Sequence, residues 1–220
     1  MIKKEIFSRP ETLTKQWLSD AGGFSWQDFV TAIPSPLFVV TSWKSNGKEN
    51  ACLQSWSTFI GCGSDDFICL IGSVVKGGHM YQSLKETGCC VLNFPSRDVY
   101  DLCVKTIKNN QFDTDEITAS GLTAEKAVRV NAPRVAECFL NIECEYLWEH
   151  ELFEGSPAVT VALKAVHICM DSEHYDRSKL GRYGETGYMY LIHMPHNPDT
   201  GVTDHGLSGA IELHKETGWD

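Results

Sequence analysis

With 220 residues, 42% of them hydrophobic and 22% charged, the chain has the composition of a globular protein with a sizeable core. Its formal net charge of −10, without any basic run, excludes the clustered Lys and Arg that nucleic acid or an anionic membrane surface would need. No apolar run reaches the roughly 20 residues of a membrane helix, and "MIKKEIFSRPETLTK" has basic residues with no apolar segment behind them, so the expected location is the cytoplasm.

Residues 9–20 read as a short helix, with Pro10 in its first turn and Gly22–Gly23 at its end, making 1–24 an expected N-terminal helical extension. "PLFVVTSW" (36–43) reads as a strand, Asn46–Gly47 as a hairpin turn, and "ACLQSWSTFI" (51–60) as the returning partner. "GCGSDD" is a loop and "FICLIGS" (67–73) a third strand. A helix follows from His79 to Thr87, closed by Gly88. "CCVLNF" (89–94) is continuously apolar, as a strand buried on both faces would be.

Ser96 is placed to cap a helix over "RDVYDLCVKTIKN", with Asp98 in its first turn and Val99, Leu102, Cys103 and Ile107 on one face. Residues 110–134 read as loop with one short helix. In "FLNIECEYLWEHE", Leu140, Ile142, Cys144, Tyr146 and Trp148 alternate with Asn141, Glu143, Glu145 and Glu149, predicting a strand with one wet face. "PAVTVALKAVHICMD" (157–171) is its partner across the turn "LFEGS". From 172 to 220 the chain is rich in Gly, His, Pro and Asp and reads as a loop-rich tail. Hairpins dominate and helices are few, so the expectation is one domain over 1–220, a mainly β antiparallel barrel with peripheral α-helices.

Three stretches carry candidate chemistry. "SVVKGGHMY" (73–81) puts Lys76 and two glycines at a helix start, where unsatisfied N–H groups and the helix dipole favour an anion. It matches neither a Walker A loop nor G-x-G-x-x-G, and an ordinary strand-to-helix turn is the competing reading. In "NACLQSWSTF" (50–59), Gln54, Ser55, Ser57 and Thr58 supply donors and acceptors for a heterocycle edge and Trp56 an aromatic surface; a polar edge strand with one buried Trp fits equally. In "VNAPRVAEC" (130–138), Asn131 and Pro133 make a turn and Arg134 meets either an anion or Glu137.

The nine cysteines have irregular spacing and no C-x-x-C, so they read as reduced, small core residues. In "HMPH" (193–196) the intervening Pro argues against a preset metal site, and no metal ligands are assigned. No G-x-S-x-G or H-E-x-x-H occurs and no acid–base set stands out, so no catalytic side chain is assigned and the hard chemistry is expected to belong to a cofactor.

"IPSPLFVVTS", "NACLQSWSTF", "KGGHMYQSLKETGCCVLNFP" and "VNAPRVAECFLNIEC", in this order over about residues 25–170, resemble the flavin reductase-like family of FMN-binding split barrels, in its flavoredoxin-type branch. The resemblance implies an antiparallel split β-barrel that binds FMN and transfers electrons or hydride, as an NAD(P)H:flavin reductase or as a carrier without turnover of its own. It implies a homodimer with FMN near the subunit interface, and NAD(P)H or a redox protein as donor. Gln54, Ser55, Trp56 and Ser57 would hold the isoalloxazine edge. Ser73, Lys76, Gly78, His79, Met80 and Tyr81 would hold the ribityl phosphate, and Asn131 and Arg134 would lie near the flavin or the dimer seam. Relatives carry an Arg near Lys76 and a Ser or Thr near Met80, and both are missing here, which shifts the expected phosphate contacts to the backbone. The alternative is a non-catalytic split-barrel binder of haem or a small molecule, or a flavin sensor.

Overall fold

In the computed structural model, which describes residues 3–13, 24–176 and 178–213, the chain forms two compact units. One combines the chain up to Ser35 with Tyr190–Gly209; the other combines Pro36–Met189 with the stretch from Ala210 onward.

In the first unit, helix α1 (Trp26–Thr31) begins with a capping box: Ser25 Oγ accepts from the Gln27 N–H and the Asp28 carboxylate accepts the Ser25 N–H at 2.7 Å. The His196 N–H donates to Phe29 O, and its ring nitrogens lie 2.8 and 2.7 Å from the hydroxyls of Thr12 and Thr203. One histidine of "HMPH" is therefore a packing element. Most of the helix expected over 9–20 lies outside the described residues; before it, the Leu13 N–H closes a turn on Pro10 O.

The second unit is built from hairpins. Strands β1 (Phe38–Trp43) and β2 (Glu49–Gln54) pair through the Asn46–Gly47 turn, where Gly47 has φ 79° and Asn46 Oδ1 accepts the Lys48 N–H. β3 (Ser57–Cys62) and β4 (Asp66–Val75) form the next hairpin, followed by α2 (His79–Thr87) and β5 (Cys89–Phe94). Then come α3 (Arg97–Lys108), α4 (Glu116–Ala119) and the small ribbon β6 (Ala124–Lys126)–β7 (Pro133–Val135). The long hairpin β8 (Leu140–Glu151)–β9 (Ala158–Met170) and the turn of helix α5 (Ser172–Tyr175) end the series.

Seven strands make one antiparallel sheet in the order β2-β1-β5-β8-β9-β4-β3. Its two rim strands, β2 and β3, are consecutive in the chain, joined only by Ser55 and Trp56, and the Gly72 N–H donates to Trp56 O across the join at 2.8 Å. This is the split β-barrel. Phe38, Val40, Ile71, Leu92, Ile142, Val161 and Leu163 fill its interior together with Leu84 of α2. A second cluster, with Val39, Ala51, Cys103, Ile117 and Val135, seals the outer face under α3 and α4. Every residue of β5 is consequently buried, as its unbroken apolar run predicts. All nine cysteines are free thiols and most lie in these cores. Burial pushes the Cys69 thiol up to about 12. Among the described residues, no helix is long and apolar enough to cross a membrane.

Four expectations need correction. The strand expected over 51–60 is two strands: the chain leaves one rim of the sheet at Gln54 and enters the other at Ser57, so Leu53, Ser55, Ser57 and Phe59 do not share a face of one strand. The face of β8 expected to be wet is buried at Asn141 and Glu143, because the 127–135 segment folds over it. On α3 it is Thr106 rather than Ile107 that packs inward beside Cys103, leaving Ile107 62% exposed. Ser96 precedes α3 as expected but makes no side-chain cap bond.

Asn93 of β5 ties the sheet to its cover. Its Nδ2 donates to Val39 O and Thr41 Oγ1, while its Oδ1 accepts from the Val135 N–H and Asn141 Nδ2, each at 2.9 Å. Both lone-pair directions and both N–H groups of one buried amide are thus occupied, which suits a side chain at 0% exposure.

Candidate functional site

A cleft of about 380 Å³ opens where the sheet closes on itself. One wall is β2 from Asn50 to Gln54, and the opposite wall is the end of β4 from Ser73 to Val75. The start of α2 (Gly78, His79, Met80) forms the floor, and Thr106 and Ile107 from the end of α3, with Asn110 just beyond it, form a rim. Its volume lies in the range of small-ligand sites.

The start of α2 is chemically open. Gly78 is the N-cap and offers no side-chain acceptor, so the first N–H groups of the helix have no capping partner of the usual kind. A Cβ built on Gly78 would stand 3.3 Å from Val75 O, so glycine keeps the approach clear. Ser73 holds φ 55°, a left-handed conformation that strains a non-glycine residue by about 1–3 kcal/mol. It sits where the β4–β9 register slips between Val159 and Val161, so an irregularity of the sheet turns this backbone toward the cleft.

Among the described residues, the lining holds no carboxylate, lysine or arginine, and His79 is its one imidazole. Its Nδ1 is shut away from solvent without a hydrogen bond and stands 3.5 Å from Glu116 Oε1, an electrostatic contact whose geometry falls short of a hydrogen bond. Glu116 is completely buried: Oε1 accepts from Lys44 Nζ and Oε2 from the Ala51 N–H, both at 2.8 Å. Lys44 Nζ also donates to Gln111 O and Thr114 O, at 2.9 and 2.7 Å. Cys52 accepts from Gln54 Nε2 at 3.0 Å, and burial pushes its thiol up, which keeps it from acting as a thiolate nucleophile.

Of the residues singled out from sequence, the cleft gathers Gln54, Ser73, Gly78, His79 and Met80. Ser55 and Trp56 make the crossing between the rims and Ser57 opens β3; none of the three is part of the lining. Lys76 forms an ion pair with Glu151 of β8 and is also outside the lining; that pairing holds the Glu151 carboxyl below its usual range. The Tyr81 hydroxyl donates to Glu149 at 2.9 Å, on the β8 side of the helix. Asn131 lines a separate hollow with Trp43 and the β6–β7 ribbon. Arg134 is buried and pairs with Glu143, not with Glu137, whose carboxylate instead accepts the Thr123 N–H. Sequence reasoning missed Asn50, Thr106, Ile107 and Asn110 as site residues. Ile107 alone left a signal, read as one of the apolar positions on the face of α3 with Cys103, and it reaches the rim instead.

A cleft with an open helix start, a neutral polar wall and apolar flanks from Leu53, Met80 and Ile107 suits a flat, partly polar ring that ends in an anion. The model of the flavin reductase like domain matches residues 30–184. An uncharacterised protein of Methanothermobacter thermautotrophicus is 25% identical over 146 residues, 66% of this chain and 67% of its own. Nitrilotriacetate monooxygenase component B from Bacillus cereus superposes with TM-score 0.73 at 15% identity, covering 98% of this chain and 100% of that one. Flavoredoxin of Desulfovibrio vulgaris (Miyazaki F) gives 0.63 at 17%, covering 84% and 91%. The FMN-binding protein from Thermus thermophilus gives 0.63 at 14%, with the same coverage. At these identities the three structures share the fold.

Proposed function

The chain belongs to the flavin reductase-like domain family, and from that premise we propose that it holds FMN in the cleft between β2 and β4 and transfers electrons or hydride through it. The carrying observation is the uncapped start of α2, beside the strained Ser73, at the floor of a cleft otherwise lined by neutral groups. The first N–H groups of α2 receive the phosphate. Gln54 and the neighbouring β2 backbone address the ring edge, while Leu53, Met80 and Ile107 exclude water from its faces. A phosphate-ended mononucleotide suits one helix start, and flavoredoxin and an FMN-binding protein are among the fold's neighbours. A bound flavin supplies the redox chemistry, and the protein's share is to bind, orient and shield it.

Two forms of this activity separate by experiment. A flavoredoxin-type carrier retains FMN through dialysis; an NAD(P)H:flavin reductase consumes NAD(P)H steadily when free flavin is added. The exposed apolar side chains of Leu147, Trp148, Leu152 and Phe153 on the β8–β9 hairpin favour association as a homodimer; a cytoplasmic location and NAD(P)H or a redox protein as donor belong to the same reading. Light scattering of the purified protein reads the oligomer directly.

The test is Gly78→Asp. It places a carboxylate where the phosphate is proposed to sit; Asp is a favourable N-cap, which offsets the crowding of its Cβ 3.3 Å from Val75 O, so stability stays within about 1 kcal/mol of wild type. FMN affinity falls by about a hundredfold or more, the equivalent of losing one or two charge-assisted hydrogen bonds. Unchanged affinity in a flavin fluorescence titration would remove the phosphate from this helix start. Lys76→Ala has the opposite expectation. Its partner is Glu151, so FMN affinity stays within about threefold, in keeping with a half-exposed ion pair. A loss beyond tenfold would return Lys76 to the site.

A further inference from the structure

We propose that Glu116 is a positioning residue that makes His79 a proton-linked clamp for the phosphate; this rests on the flavin reading above. The geometry is a buried chain of contacts leading outward: Lys44 to Glu116, Glu116 to His79, His79 to the cleft. Glu116 cannot swing, because the Lys44 ammonium and the Ala51 N–H hold its two oxygens separately. His79 lines both the cleft and the small hollow beside it, and a proton on Nδ1, facing that fixed carboxylate, leaves Nε2 as the ring nitrogen free to meet a ligand. The His79 side chain is 22% exposed while Nδ1 has no solvent access, so the exposure belongs to the rest of the ring. The Phe112 ring meets it edge-on at 5.8 Å between centroids and limits its rotation.

The surrounding charges make the second proton conditional on a ligand. The inner side of His79 faces the Lys44–Glu116 ion pair, whose charges offset each other at a distance. Glu86 of its own helix lines the small neighbouring hollow with Gln82 and Ser45. Toward the cleft the neighbours are Asn50, Ser73, Thr106 and Asn110, all neutral, and Cys52, whose thiol stays protonated. A phosphate dianion at the helix start supplies the missing negative charge. Nε2 takes a proton from solvent, and the imidazolium then donates outward to the phosphate while Nδ1–H faces Glu116. Binding of FMN is therefore linked to uptake of a proton, and binding of riboflavin, which lacks the phosphate, is not.

Isothermal titration at about pH 7.5, where a free phosphomonoester is already mostly a dianion, measures this in buffers of different ionisation enthalpy. Wild type takes up close to one proton per FMN and none per riboflavin, and its FMN affinity falls toward tenfold per pH unit as pH rises. His79→Gln binds FMN more weakly and with no proton uptake, and Glu116→Gln loses the uptake as well. Should Glu116→Gln fail to fold, nitrogen NMR of the wild-type histidine rings decides. The supporting result is a His79 protonated at Nδ1 alone without ligand and at both nitrogens with FMN. Wild-type FMN binding without proton uptake, or equal uptake by His79→Gln, overturns the clamp and leaves the flavin reading standing. Absence of binding by either flavin at any pH overturns both.

Discussion

Replacing Glu143 with Ala is expected to cost about 3–5 kcal/mol of folding stability, the usual penalty for breaking a buried ion pair and stranding its partner. Glu143 lies on β8 at 0% exposure and accepts N–H groups from Val128, Arg129 and Val130. Nε and Nη2 of Arg134 donate to the same carboxylate. Removing it strands a buried guanidinium and three backbone donors at once. Burial pushes the Glu143 carboxyl up, but the backbone N–H groups and Arg134 outweigh it and hold the group below the usual carboxylate range. A lowered folded value means that its contribution is complete above the unfolded value, near pH 4.3, and is lost as pH falls through the folded value. The gap between wild type and Glu143→Ala in urea unfolding is therefore full at about pH 7 and shrinks in acid. A loss under about 1 kcal/mol at neutral pH would show that the 127–135 cover is not held by this carboxylate.

The second large effect is expected at Lys44. Lys44→Met leaves Glu116 buried beside the Ala51 N–H and removes the ammonium that gathers Gln111, Thr114 and Glu116. The side chains of Lys44 and Glu116 are 1% and 0% exposed, so solvent screens neither, and the loss is again about 3–5 kcal/mol. Adding Glu116→Leu removes the stranded charge, and the double variant recovers to within about 2 kcal/mol of wild type, since an apolar pair of similar volume replaces a buried ion pair at little net loss. Unfolding of both variants in urea reads this. A double variant no better than the single one would mean that the backbone acceptors, not the carboxylate, need Lys44.

The hairpins were legible because their signals are local. Asn46–Gly47 sets one turn, and the alternation from Leu140 to Trp148 sets a strand whose inward face the barrel fills. Helix α2 was legible to the residue, with Gly88 at φ 67° as its stop. The crossing at Ser55–Trp56 was not, since no Pro or Gly marks it and the residues on both sides keep a strand composition. Burial of Asn141 and Glu143 depends on a segment that folds over them, and alternation alone reads such positions as wet. The candidate site divides the same way. Gly78, His79 and Met80 follow from one helix start. The partners that redirect Lys76, Tyr81 and Arg134 are Glu151, Glu149 and Glu143, all on β8, and the first two lie 75 and 68 residues away in sequence. The strength of "KGGH" as a charge motif came from a lysine that the fold turns elsewhere.

The walls of the cleft stand at opposite ends of the strand order: β2 is the first strand, and β4 is next to the last. A molecule seated there bridges the seam, and it finds no such seat on the unfolded chain. Occupancy and melting are thus one coupled equilibrium. A ligand at a hundred times its dissociation constant adds about 2.7 kcal/mol to whatever the bare chain possesses. A thermal scan of this protein reports how full its seam is as much as how well its core is packed.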